Sequence, residues 1–230
     1  MSATDYLSED GSGTYGRWHV PDLVPSKRAV ELVFVFESPH VEELRTGLPV
    51  VGAAGKSALR FLVPDQPRDL SLGRFVQQSH AAGDDRIAIF NVSNVPMQAV
   101  AFVDMEVPEL EEGEWALIER VRRSRARSMS SMRGAAAQAI SEVLVDGLRK
   151  RLSGITLGFE GRVVAAGILA QRVVAAAFPD LMPEPLHVPH PSFNQWNRKT
   201  HQHLPALLDM RHRFERQPST AQHFGAVLGG

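Results

Sequence analysis

Three clusters of polar residues stand at the ends of apolar runs: Glu37-Ser38-Pro39-His40, then Asn91 with Ser93, Asn94 and Pro96, and finally His190-Pro191-Ser192. Together they hold a carboxylate, an amide, an imidazole and hydroxyls. A carboxylate can position water or stabilise a cation, an imidazole can donate to a departing group, and a primary amide offers one acceptor and two donors to a heteroaromatic edge. Taken singly, each cluster has an ordinary use, since Ser and Asn cap helices and Pro punctuates loops. Taken together they have a common location: in an open parallel sheet, ligands sit outside the carboxyl ends of the strands, so these turns meet on one rim.

The elements that must carry them are readable from pattern. Short β-type runs fall at Leu32 to Phe36, Ile87 to Asn91, Arg162 to Ala166 and Pro185 to Val188. Helical periodicity covers Gly55 to Leu62, Leu72 to Ala82, Ser131 to Leu152, Leu169 to Ala177 and His201 to Arg213. Strands alternating with helices predict an α/β, three-layer sandwich around a central four-stranded parallel sheet. Residues 1–25 read as a partly flexible extension and 216–230 as a flexible tail, leaving a single domain over 26–215. The stretch from Met97 to Met129 is acidic at first and then basic, and predicts an insertion beside the site.

Composition narrows the options. With 230 residues, 43% of them hydrophobic and 22% charged, the chain is long enough for one sizeable α/β core. A formal net charge of -1 argues against electrostatic coating of nucleic acid, while leaving room for a local basic patch. The absence of cysteine excludes disulfides, thiolate metal sites and Cys-held iron-sulfur clusters. The polar start of the chain does not read as a secretory signal, and no apolar run approaches the ~20 residues of a membrane span. A cytoplasmic protein without membrane contact is expected.

In order and spacing, these motifs resemble the uracil-DNA glycosylase superfamily, most nearly its bacterial and archaeal iron-sulfur branch. Members of that branch have a strand ending in Gly-Glu-Ala-Pro-Gly, a segment like Gly-x-Pro-Phe-Val-Gly-x-Ala-Gly-Lys, a strand ending in Asn, and a late His-Pro-Ser. The corresponding residues here are Phe36-Glu37-Ser38-Pro39-His40, Gly47-Leu48-Pro49-Val50-Val51-Gly52-Ala53-Ala54-Gly55-Lys56, Asn91 and His190-Pro191-Ser192. Val163 to Gly167 looks like the third family strand with its following glycine, and the resemblance extends from about Glu31 to about Leu208.

The resemblance implies a uracil-DNA glycosylase-like fold and base excision: a nucleotide is flipped out of DNA into a pocket and its N-glycosidic bond is cut, leaving an abasic site. It implies Glu37, Ser38, Asn91 and His190 as the catalytic group. His40, Val50, Phe90 and Asn91 would contact the base. Gly52, Gly55, Lys56, Ser57 and Ser192 would contact the DNA backbone, with Arg198 and Lys199 as further phosphate contacts. The loop from Phe193 to His201 occupies the family's minor-groove position, where Trp196 or Phe193 would fill the gap left by the flipped nucleotide. The expected partner is DNA, duplex with a flipped base or single-stranded, bound by a monomer without metal or organic cofactor.

Four departures from the family pattern have chemical meaning. The cluster cysteines are missing, so packing alone must hold the N-terminal half. Ser38 stands where several members carry a water-activating Asp or Asn, which shifts the burden to Glu37 or to leaving-group stabilisation. Val50 replaces a stacking Phe, and His40 replaces a small residue or Tyr; both point to a pocket for a bulkier modified pyrimidine, such as the glucosylated hydroxymethylcytosine of phage DNA, excised in antiviral defence. A non-catalytic sensor with the same pocket is the alternative, favoured by Ser38. A hydrolase of free nucleosides is a third reading, distinguished by lack of salt-dependent DNA affinity.

Three weaker signals are set aside. Gly52 to Ser57 mimics a phosphate-binding P-loop, yet the first glycine of that motif falls at Val50 and no strand directly precedes it. His187, His190, His201 and His203 lack a carboxylate at ligand spacing. The run Arg122 to Arg127, with Arg133, is a solvated helix face unless it lies beside the DNA-reading rim, where it would clamp phosphate.

Overall fold

A computed structural model describes residues 1–13, 15–26, 29–215 and 226–227, and these form an α/β protein whose mostly parallel sheet is flanked by helices. The chain runs α1 (Ala3–Leu7), β1 (Ala29–Phe36), α2 (Val41–Thr46), α3 (Ala53–Leu62), α4 (Leu72–Ala81), β2 (Ile87–Asn91) and α5 (Glu114–Arg123). It continues through α6 (Ala135–Leu152), β3 (Thr156–Ala166), α7 (Ile168–Ala177), β4 (Leu186–Val188), α8 (Pro205–Glu215) and β5 (Ala226–Val227). The strand order is β2-β1-β3-β4, all parallel, and β5 pairs antiparallel with the start of β3.

β1 is apolar nearly throughout because both its faces are covered. Val33 and Val35 face a core built with Ile118 of α5, Ile140 and Leu144 of α6 and Val173 of α7. Leu32, Phe34 and Phe36 face the other core, with Leu59 and Leu62 of α3, Val76 of α4 and Met210 of α8. A fully buried Phe such as Phe34 contributes about 2–3 kcal/mol by removal of apolar surface from water.

The helix placement also locates a crevice. β1 leads to β2 through α3 and α4 on one face, whereas β2 returns past β1 to β3 through α5 and α6 on the other. The helices that follow the neighbouring strands β1 and β3 therefore diverge to opposite faces, and the carboxyl ends of those strands are left open between them. Among the described residues, no helix is long and apolar enough to cross a membrane.

The four parallel strands and five of the six described helices of ten or more residues fall where the sequence pattern places them, although β1 and β3 begin earlier than their apolar runs. The sixth, α5, lies in the stretch expected to be an irregular insertion and contributes Ile118 and Val121 to the core. The N-terminal residues also depart from the pattern: expected outside the core, they contribute Ala3, Tyr6 and Trp18 to it. The Tyr6 hydroxyl donates to the Pro96 carbonyl (3.0 Å), its ring meets Trp115 edge-on at 5.5 Å, and Leu23 bridges Ile89 along the free edge of β2. Irregular backbone can bury aromatic side chains one at a time, with no period to betray it. Of the expected tail 216–230, all but 226–227 lies outside the described residues.

Tyr6 is fully buried, so Tyr6→Ala should lower the free energy of unfolding by about 3–5 kcal/mol in urea titration. A change below about 1 kcal/mol, as at surface positions, would mean that the N-terminal segment is not part of the core.

Candidate functional site

The open carboxyl edge of the sheet holds a cavity of about 530 Å3, lined by residues from every expected polar cluster: Glu37, Ser38 and His40, Asn91, and His190 with Ser192. Its size falls in the range that encloses small organic ligands. The register explains the convergence, since Phe36 pairs with Asn91 and Ala166 with Val188, so three turns leave the sheet at one level.

Asn91 is the most telling of these. Its side chain is 2% exposed, yet neither its amide nitrogen nor its amide oxygen has a hydrogen-bond partner. Buried side-chain amides are almost always partnered, so an orphaned one beside a cavity is a candidate donor–acceptor pair for what the cavity receives. The backbone behind it is anchored. Arg151, near the end of α6, donates to the carbonyls of Asn91 (2.7 Å) and Val92 (2.9 Å) and to the side chains of Asp22 (2.6 Å) and Asn94 (2.7 Å). Burial pushes the Asp22 carboxyl above the ordinary carboxylate range, against the pull of Arg151.

His190 follows β4 and meets the Phe36 ring edge-on at 6.2 Å. Its Nδ1 accepts the Ser192 N–H (3.3 Å), an arrangement that assigns the proton of the neutral ring to Nε2. Burial pushes the imidazole pKa below its ordinary value; Glu37 opposes that shift and Arg122 adds to it. At neutral pH the ring is thus an uncharged Nε2–H donor. The preceding turn admits this placement because Gly167, at φ +95°, has no Cβ; one added there would lie 3.1 Å from His190 Cβ.

Glu37 is ion-paired with Arg122 of α5. The basic segment therefore does come beside the site, but Arg122 is engaged with a carboxylate. Ser38 Oγ accepts the Met97 N–H (3.3 Å), tying the exits of β1 and β2 together. His40 precedes α2 on the exposed side of the cavity wall, its pKa lowered first by burial and then by Arg122.

The segment from Gly47 to Gly52 forms another wall through contacts that the sequence did not single out. Val50 has φ +55°, a left-handed conformation that costs a β-branched residue energy. Glu43, buried in α2, holds it by accepting the N–H groups of Val50 and His40. Gly55 is required here for a different reason from the expected approach to phosphate: a Cβ would stand 1.9 Å from the Val50 carbonyl oxygen. α3 begins at Ala53, two residues earlier than the periodicity suggested, so its free N–H groups belong to the Gly52–Ala54 turn that lines the cavity.

Three expected contacts are corrected, those of Phe90, Trp196 and Ser57. Phe90 is fully buried and faces the α5–α7 core, opposite in pleat to Asn91. Trp196 is fully buried against Phe36 and Phe61 and donates to the Pro189 carbonyl (2.6 Å), so it cannot enter DNA. The exposed aromatic is Phe193, 84% accessible, at φ +55° and on the cavity wall. Ser57 is buried and donates to Asn194 Oδ1 (3.0 Å), bracing that loop instead of contacting phosphate. Lys56, Arg198 and Lys199 are exposed and do not line the cavity; Arg198 donates to the Phe193 carbonyl (3.1 Å). Among the described residues no cluster of His and acidic side chains has the makings of a metal site.

Of the residues that sequence reasoning missed, Glu43 had a signal, an acidic residue three after a helix N-cap. Arg151 had none, because its partners are mostly backbone carbonyls. No protein-family model matches the chain, and no curated protein matches it in sequence.

Burial raises the Glu43 carboxyl from its ordinary value to about 7, against the two N–H donors that pull it down. Its protonated form is therefore favoured by folding, a contribution fully present below about pH 4.5 and lost as pH rises to about 7. Glu43→Gln removes that titration and leaves a pH-independent offset for one lost acceptor. Its stability relative to wild type should rise between pH 5 and pH 8 by an amount on the order of 2–3 kcal/mol, read by thermal unfolding; a constant difference would refute it.

Proposed function

We propose that the chain is a monofunctional DNA glycosylase that draws a modified pyrimidine into this cavity and hydrolyses its N-glycosidic bond. The observation that carries the reading is the unpartnered amide of buried Asn91, sharing a cavity with the Nε2–H of a neutral imidazole and with a carboxylate. A pyrimidine's hydrogen-bonding edge satisfies both halves of such an amide.

Bond cleavage at C1′ leaves an oxocarbenium-like sugar and an anionic base. His190, held neutral by its surroundings, donates a hydrogen bond from Nε2 to the base oxygen as that charge grows, without first losing a proton. Glu37 supplies the opposite charge near the sugar. Water adds its oxygen to C1′, its proton passes to Glu37 or solvent, and the departing base takes up a proton in turn. The Ser38 hydroxyl is a weak base, so leaving-group stabilisation carries most of the work. The N–H groups of the Gly52–Ala54 turn face a flanking phosphate, and exposed Phe193 fills the gap in the duplex.

The substrate is uracil or a bulkier modified cytosine. A cavity of about 530 Å3, with Val50 in place of a ring, supports the bulkier base, and glucosylated hydroxymethylcytosine in an antiviral role is the extreme case. The engagement of Glu37 by Arg122, with Ser38 beside it, favours a second reading: a sensor that binds modified DNA without cutting it.

Oligonucleotides carrying uracil, hypoxanthine or glucosylated hydroxymethylcytosine, followed by hot alkali, separate these. Wild type should release alkali-labile strands from at least one pyrimidine, while Glu37→Gln and His190→Ala lower the single-turnover rate by about 10²–10³-fold. If wild type binds but cuts nothing in the panel, the sensor reading replaces the enzyme.

A further inference from the structure

Arg122 behaves unlike the basic residues around it. Arg123, its neighbour, is 68% exposed and pairs with Glu119 on the same helix, whereas Arg122 is 20% exposed and turns its Nε to Oε1 of Glu37, itself 23% exposed. Among the described residues, no other side-chain hydrogen bond reaches the Glu37 carboxylate, and Arg172 of α7 acts on it through charge alone. Its backbone is fixed, because its carbonyl accepts the Ser93 N–H at 3.2 Å. The carboxylate beyond it turns on three side-chain bonds and would sample several directions if unheld.

A guanidinium and an ammonium would hold it differently. Arginine presents directed N–H groups in a plane, so its bond to Oε1 restricts the turning of the carboxylate; lysine supplies charge without that direction. We propose that Arg122 is a positioning residue, which fixes the Glu37 carboxylate so that its second oxygen faces the reacting sugar. The acidic element of the site is then a pair drawn from β1 and α5, and the segment between β2 and α6 completes the site. This inference rests on the excision reading. It differs from the expected use of the same arginine, a grip on DNA phosphate.

The two uses give different kinetics. As a positioning residue, Arg122→Ala should lower the single-turnover rate at saturating DNA by about 100-fold, the cost of a misplaced group, with the Kd for DNA changed less than about threefold. Arg122→Lys should recover only about a tenth of the wild-type rate, since charge returns without direction. If instead the Kd rises, the salt slope falls by about one and the saturated rate is unchanged, Arg122 is a phosphate contact and the proposal is overturned.

A second measurement stands apart from activity. Glu37 and Arg122 are the charged groups facing His190, the first raising and the second lowering its pKa. In an NMR titration of the free protein, His190 should titrate at higher pH in Arg122→Gln and at lower pH in Glu37→Gln. An unmoved titration in both variants would dissolve the pair. If wild type cuts no base at all, the excision reading fails, and the pairing is judged by this titration alone.

Discussion

Parallel pairing of β1 with β2 on one side and β3 on the other is the constraint on which the cavity depends. Because Phe36 lies opposite Asn91 and Val35 opposite Ala165, the exits of these strands rise to one level without any loop having to reach for another. The crossovers then diverge to opposite faces, and the space between their first turns is left open at the carboxyl edge of the sheet. Residues far apart in the chain become neighbours through backbone hydrogen bonds, before any side chain makes a specific contact.

Holding polar groups in that space has a free-energy cost, and the surrounding contacts show how it is met. Asp22 and Arg151 are both withdrawn from solvent, and for Asp22 the cost of desolvation outweighs the attraction. What the pair adds is geometry: two of the five bonds from Arg151 end on the carbonyls of Asn91 and Val92. The Asn91 amide can remain without partners because its backbone is anchored from behind. Val50 shows the same logic. Its left-handed backbone persists because Glu43 accepts its N–H and the missing Cβ of Gly55 makes room for its carbonyl.

Much of this was legible in the sequence, for identifiable reasons. β1 and β2 are buried on both faces, so their apolar runs are unbroken, and the polar residues at which they stop were read as one rim. Glu37, Asn91 and His190 do share a cavity. What failed was inference about individual side chains within irregular segments. Trp196 and Phe193 lie three residues apart in one loop, and composition gives no ground for burying one and exposing the other; the left-handed backbone at Phe193 and Asn194 decides it. Ser57 is expected at a helix start but lies inside α3, on the face turned to the Phe193–Asn194 loop, where its hydroxyl donates to Asn194. The N-terminal residues were misjudged because periodicity detects regular elements, while Tyr6 and Trp18 are buried from a short helix and a single 3-10 turn.

On the proposed excision reading, the charge balance of the cavity bears on how a site with Ser38 in place of a water-activating residue would work. A strong base is needed only if the attacking water must be ionised early. When the leaving group departs first, the demands are a donor that stabilises the anionic base and a fixed negative charge for the sugar, and neither requires proton transfer at Ser38. Burial favours that division of labour: it keeps His190 neutral, hence a donor that gives up no charge, and Arg122 beside it opposes protonation further. The same arginine engages one oxygen of Glu37, which suits a carboxylate acting by its charge and direction better than one that must collect a proton. On the proposed excision reading, a cavity arranged in this way would stabilise separated charge, anionic base against cationic sugar, and would connect Asn91, His190, Glu37 and Arg122 into one chemical unit.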